Sequence, residues 1–304
     1  MKSNFRYSFS SLTLLLVVFV LSSCGGGSSK KEESSKQEAF AEAEKKISKD
    51  LTEVVAEMPA PTEVPYLLQA TGSDFNDNLI NGLDNLSKYQ TNQNESAVNL
   101  GVYATDMGYL LSYDKSAETR EYMEACQGLA ESLGIASVFD VKTMEDFQDN
   151  INNSDSLNKI LVKAIAKAQV RLQQSDRMPV AALVLSGSFI EGLYLAVEVV
   201  ETYPTDILDE TNRNLILEPL VKVILDQKKP LVDIIGMLKD LPKAETTDAM
   251  IADLTQLKTH YDGSLSEIQT KIANNTGDLM LTQDMLTDVT SEVKRIREDI
   301  VAMQ

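Results

Sequence analysis

Two carboxylates in this sequence occupy unusual positions. Asp106 lies in ESAVNLGVYATDMGYLLSYD and Glu191 in PVAALVLSGSFIEGLYLAVEVVETY, and both stretches are otherwise largely apolar with helical periodicity. Asn99, Tyr103, Asp106 and Tyr113 fall at 4-3-7 spacing on one helix face, and Glu191, Tyr194 and Glu198 share a face of the second helix. Facing each other across a cleft, Asp106 and Glu191 could act as the acid and base of a hydrolase-type enzyme. With Tyr103 they could instead hold a cation, a peptide or the amine of a small ligand between helices 95–113 and 179–202. The plainer expectation is a solvent-facing edge with the tyrosine hydroxyls at its rim. Catalysis would further require a common pocket and shifted pKa values.

Other chemistries find little support. The chain has two cysteines and one histidine, His260. Cys126, in EYMEACQGLAESLG, sits on a helical pattern far in sequence from that histidine, and a small buried thiol is expected there. No zinc or iron site is expected from so few His and Cys ligands, and no cofactor is called for. Asp74, Asn76 and Asn78 begin like a calcium loop, but Leu79 stands where glycine is needed and Asn85 where glutamate is needed. Ser186-Gly187-Ser188 is not a nucleophile elbow, and neither a phosphate-binding loop nor a dinucleotide fingerprint is present.

The two acid-bearing helices also carry small residues one turn apart: Ala97, Gly101, Ala104 and Gly108 on the first, and Ser188, Gly192 and Ala196 on the second. Such spacing lets helix backbones approach closely, so these helices are expected at the centre of the body, against each other. Residues 179–200 are apolar but interrupted by serines, glycines and glutamates, which fits a core helix better than a membrane span.

Around this pair the helical signals recur, and the expected fold is all-α, a multi-helix bundle. Phe40, Ile47, Leu51, Val54 and Met58 form one helix face, and Pro59, Pro61 and Pro65 predict an extended connector after it. Asn92 or Asn94 caps a helix to about Ser112, and Ser116 starts another that closes near Gly134. Thr143 with Asp146 marks a helix start, as do Ser154, Ser175 or Asp176, and Thr205. Pro219 is expected to kink its helix, and Pro230 opens a short one to about Leu241.

The C-terminal segment keeps a heptad register through Leu265, Ile268, Ile272, Leu279, Leu286, Val289, Val293, Ile296 and Ile300. A break is expected at residues 274–278. The seam packs either on its own domain or, as a coiled-coil contact, on a protein partner through residues 265–300. Residues 37–304 are read as one helical domain, or as 37–242 followed by a 243–304 helical hairpin.

The N-terminus supplies the clearest functional signal. Lys2 and Arg6 precede the apolar run LLLVVFVL at residues 14–21, about 12 Å of helix against the ~30 Å of a bilayer. Leu21-Ser22-Ser23-Cys24 then matches a bacterial lipobox. Residues 1–23 are therefore read as a lipoprotein signal peptide and Cys24 as the lipid-attachment site, with anchoring by its acyl chains. Residues 24–36 form a Gly/Ser/charged tether reaching about 19 Å. The net charge is −18, and cleavage before Cys24 would remove two positive charges and no acid. That balance, with no basic stripe evident, argues against nucleic acid and anionic membrane surfaces as partners of the body.

EVPYLLQATGSDFNDNLIN followed by AVNLGVYATDMGYLLSYD resembles a group of uncharacterised, all-helical lipoproteins of Bacteroidota. The resemblance implies a lipid-anchored envelope protein and carries over only the acylated Cys24. It places the protein at the outer membrane facing the periplasm. Surface-export signals in such bacteria set acids directly after the cysteine, whereas residues 25–29 here are Gly and Ser. Asp155-Ser156-Leu157 resembles the short O-glycosylation signal of Bacteroidota envelope proteins, with a helix cap as the plainer reading.

Overall fold

The computed structural model describes residues 49, 63–151, 153–174, 177–204, 206, 208–273 and 286–302. The lipobox with Cys24, the tether, the 40–58 helical pattern, Thr205 and the 274–278 break lie outside the described residues. Among the described residues the secondary structure is helical, with no strand. The all-α expectation is correct.

Local chemistry explains most boundaries. Helix α1 (Glu63–Ala70) contains Pro65 in its first turn, where no intrahelical N–H partner is lost, so this proline belongs to a helix and not to an extended connector. Two short 3-10 turns (Asp77–Leu79 and Leu83–Asn85) and a single-turn helix α2 (Leu86–Tyr89) lead into α3 (Gln93–Ser112). Asn92 caps α3 by accepting from the Asn94 N–H. Helix α4 (Ser116–Ser132) ends before Gly134, whose φ of +66° suits a residue without a Cβ. Asp140, and not Thr143, caps α5 (Val141–Asp149), because Thr143 is the third residue in and its N–H is the donor. Helix α6 (Ser154–Gln174) takes its cap from Asn153, which places Asp155-Ser156-Leu157 in its first turn with Leu157 buried.

Helix α7 (Met178–Thr202) follows Arg177 with no side-chain cap there, and the expected caps Ser175 and Asp176 lie outside the described residues. Asp209 caps α8 (Glu210–Asp226), which holds Pro219 in its interior. Then come α9 (Lys228–Lys239), α10 (Glu245–Asp262), α11 (Ser264–Ala273) and α12 (Thr287–Ala302).

Helices α3 and α7 form the centre and pack tightly on each other. A Cβ on Gly101 would lie 2.1 Å from the Val184 carbonyl oxygen, and one on Gly187 would lie 2.0 Å from that of Val98. The backbones therefore touch, and only glycine fits at either point. Helix α7 is long and apolar enough to span a bilayer by length and composition. It is instead sheathed in protein, by α1, α6, α8, α9 and α12 as well as α3.

Helix α12 lies on α7, α10 and α3. Leu265, Ile268, Leu286, Val289, Val293 and Ile300 are all buried, so the described part of the heptad seam is consumed within this chain. Helix α6 departs from the expected absence of a basic stripe. Lys159, Lys163, Lys167 and Arg171 follow at four-residue steps and are all exposed.

Candidate functional site

The face of α3 carrying Asn99, Tyr103 and Asp106 points inward. All three residues have no exposed surface, and neither has Glu191. The expected solvent-facing rim is therefore wrong. The cause is that α3 is enclosed along almost its whole length by α1, α4, α6, α7 and α12, so its polar positions have no route to water.

Asp106 and Glu191 do come together, and a third residue that the sequence did not nominate joins them. Arg297, from α12, donates from Nε to Glu191 Oε2 at 3.1 Å and from Nη2 to Oε1 at 3.2 Å. This is a two-pronged pair between a fully buried carboxylate and a guanidinium whose side chain is 13% exposed. Nη2 also reaches the Leu79 carbonyl at 3.4 Å, and the guanidinium lies 4.6 Å from the centre of the Tyr194 ring. One heptad along α7, Glu198 pairs with Lys294, which also bridges Glu201. The Glu191, Tyr194 and Glu198 face is thus covered by α12.

Around the acid pair the contacts converge on the irregular backbone of residues 79–82. The Asn81 N–H donates to Asp106 Oδ2 at 3.0 Å, and the Asn81 carbonyl accepts from Tyr122 OH at 2.8 Å. Tyr103 OH donates to the Gly82 carbonyl at 3.0 Å. The Asn81 side chain donates to Tyr89 OH at 3.2 Å and to Asn99 Oδ1 at 3.4 Å. Tyr89 OH in turn donates to the Val301 carbonyl of α12 at 2.7 Å. Leu79 and Asn81 are buried in this irregular segment, which has no helical ladder to satisfy its peptide groups, and side chains satisfy them instead.

The electrostatics follow from burial. The Asp106 carboxyl is pushed well above the usual carboxylate range, mainly by burial, then by the adjacent Glu191 charge and by a hydrogen bond to Glu191. Its Oδ1 is buried and meets no hydrogen-bond donor. Burial works against the Arg297 charge, but Glu191 and Asp106 more than offset it. Burial also raises the Tyr103 and Tyr122 hydroxyls and the Cys126 thiol above their ordinary ranges. Cys126 is an inert interior group.

Between α3 and α7 there is no cleft at the glycine crossing, where the backbones are in contact. Among the described residues, no group of three His, Cys, Asp or Glu side chains is placed to hold a metal ion. Sequence reasoning missed Arg297, Asn81, Tyr89 and Tyr122. Of these only Arg297 left a trace, since an acid pair buried in a −18 chain needs a cation and α12 is rich in them. No protein family, curated protein or solved structure matches this chain.

Proposed function

We propose that this is a lipid-anchored protein of the bacterial envelope, held at the outer membrane through Cys24, whose helical body is a non-enzymatic binding or scaffolding module. The observation that carries the non-enzymatic part is the use to which Asp106, Glu191 and Tyr103 are put. Each is fully buried and bonded to Arg297, to the other carboxylate or to the backbone of residues 79–82. Groups committed in this way position structure, whereas acid–base chemistry needs them within reach of a substrate. The anchor rests on the lipobox Leu21-Ser22-Ser23-Cys24 and the tether that follows it.

The test is metabolic labelling with a fatty-acid analogue and membrane fractionation of the wild-type chain and Cys24→Ala. The wild type should be labelled and sediment with membranes, and Cys24→Ala should lose both properties. Unchanged membrane retention of an unlabelled Cys24→Ala chain would overturn the anchor. Cross-linking in native membranes would then identify what the body holds.

A further inference from the structure

Helix α6 carries four basic residues and one acid, Asp155, in a chain of net charge −18. Lys159, Lys163, Lys167 and Arg171 form an exposed ridge, and Val162, Ala166 and Val170 form a second ridge beside it, also exposed. Val162 is 44% and Val170 50% exposed, on the side of the helix opposite the buried Leu157, Leu161, Ala164 and Leu172. Lys167 bonds to Asp140 at 3.1 Å and to Thr143 at 3.0 Å, which fixes the start of α5 next to α6. That start presents Val141, 74% exposed, and Lys142, 80% exposed and paired with Asp146 at 3.3 Å. Val141, Val162 and Val170 are three of the most exposed large apolar side chains among the described residues, carried by these two adjacent helices, each followed directly by a lysine or arginine.

We propose that this α5/α6 face docks on an anionic lipid surface, so that the tethered body lies against the membrane that holds it. Apolar side chains centred on the exposed side of a helix and bordered by lysines are the pattern of a helix that lies in a bilayer interface. The apolar residues form a convex ridge, which suits headgroups, whereas an acidic partner helix would need a groove. The overall acidity of the chain does not oppose this. The Debye length is about 8 Å in physiological salt, so the headgroups feel the near face, where Asp140 and Asp146 are paired with Lys167 and Lys142 while Lys159 and Lys163 lie exposed along α6, and they are screened from the remote acids. The inference rests on the anchor reading for its orientation, but its test does not.

The experiment uses the full chain with Cys24→Ala, so that no acyl group contributes, and with Ala166→Cys carrying an environment-sensitive fluorophore. Cys126 is buried and does not compete for the label. Vesicles containing phosphatidylglycerol should shift the emission to the blue and allow quenching by lipid-borne quenchers, and pure phosphatidylcholine vesicles should not. A Glu218→Cys label on exposed α8 surface should stay solvent-like on both. Adding Lys159→Gln and Lys163→Gln should weaken the phosphatidylglycerol titration about 30-fold, and salt should weaken it further. Unchanged circular dichroism would verify that these surface variants fold. An Ala166→Cys label that stays solvent-like on anionic vesicles, or responds equally to both lipids, would overturn the proposal. So would shielding that appears only when envelope proteins are added, since that marks a protein partner. If the shift occurs but the wild-type chain takes up no fatty acid, the docking face stands and the anchor falls.

Discussion

Arg297→Met isolates the clamp at the centre of the molecule. The substitution keeps most of the apolar stem and removes the only guanidinium bonded to Glu191, whose carboxylate has no exposed surface. Removing one partner of a buried pair typically costs about 3–5 kcal/mol, because the remaining charge is left unpaired in a low-dielectric site. The Leu79 carbonyl would lose its Arg297 contact as well. For a body of this size each kcal/mol corresponds to about 2–4 °C, so the melting temperature should fall by about 6–20 °C.

Urea denaturation followed by far-UV circular dichroism gives the free-energy loss directly. Glu191→Gln combined with Arg297→Met should recover most of the loss, because the partners then disappear together. A loss below about 1 kcal/mol for Arg297→Met, the range of exposed ion pairs, would refute the claim that the pair is desolvated.

Two further outcomes follow from the same geometry. The Asp106 carboxyl is raised in the folded chain above its unfolded value near 3.9, so its contribution is full at acid pH and is lost as the pH rises through the folded value. Asp106→Asn should therefore match or exceed the wild type in urea midpoint at neutral pH, with an advantage that grows as the pH rises from about 4; parallel pH curves would contradict the protonated assignment. Gly101→Ala and Gly187→Ala should each destabilise by about 1–3 kcal/mol or more, since the new methyl meets backbone carbonyl. Gly236→Ala, in a helix with nothing within 4 Å of the new atom, should instead stabilise by about 0.5–1 kcal/mol in the same assay.

Helix periodicity made the all-α fold legible, and the small-residue spacing made the central pair legible. Gly101 and Ser188 were found that way, and Ser188 Oγ donates to the Gly101 carbonyl at 3.1 Å, but the second backbone contact on α7, at Gly187, was not, because a spacing rule gives the face and not every crossing point. Cap chemistry located the start at Asn92 but chose Thr143 over Asp140, since any Ser, Thr or Asp in a cluster satisfies the same local pattern. The polar cluster failed for a different reason. Polar positions at helical spacing are normally solvated, and nothing local says that an entire helix is enclosed. Arg297 lies 106 positions from Glu191 and pairs with it only once α12 is docked.

That failure indicates what the cluster does. A buried ion pair is weak evidence for stability, because apolar replacements of similar volume are often at least as stable. The Asp106, Glu191 and Arg297 group instead sits where buried backbone must be satisfied: the Leu79 carbonyl and both peptide groups of Asn81 are met by side chains from α3, α4 and α12. Tyr89 adds a bond to the Val301 carbonyl, so the same network fixes the register of α12. A ligand entering here would have to displace several of these bonds and leave the freed groups buried. That cost argues for a function carried on the outer surface, where the basic and apolar ridges of α6 are the strongest departure from an otherwise acidic chain.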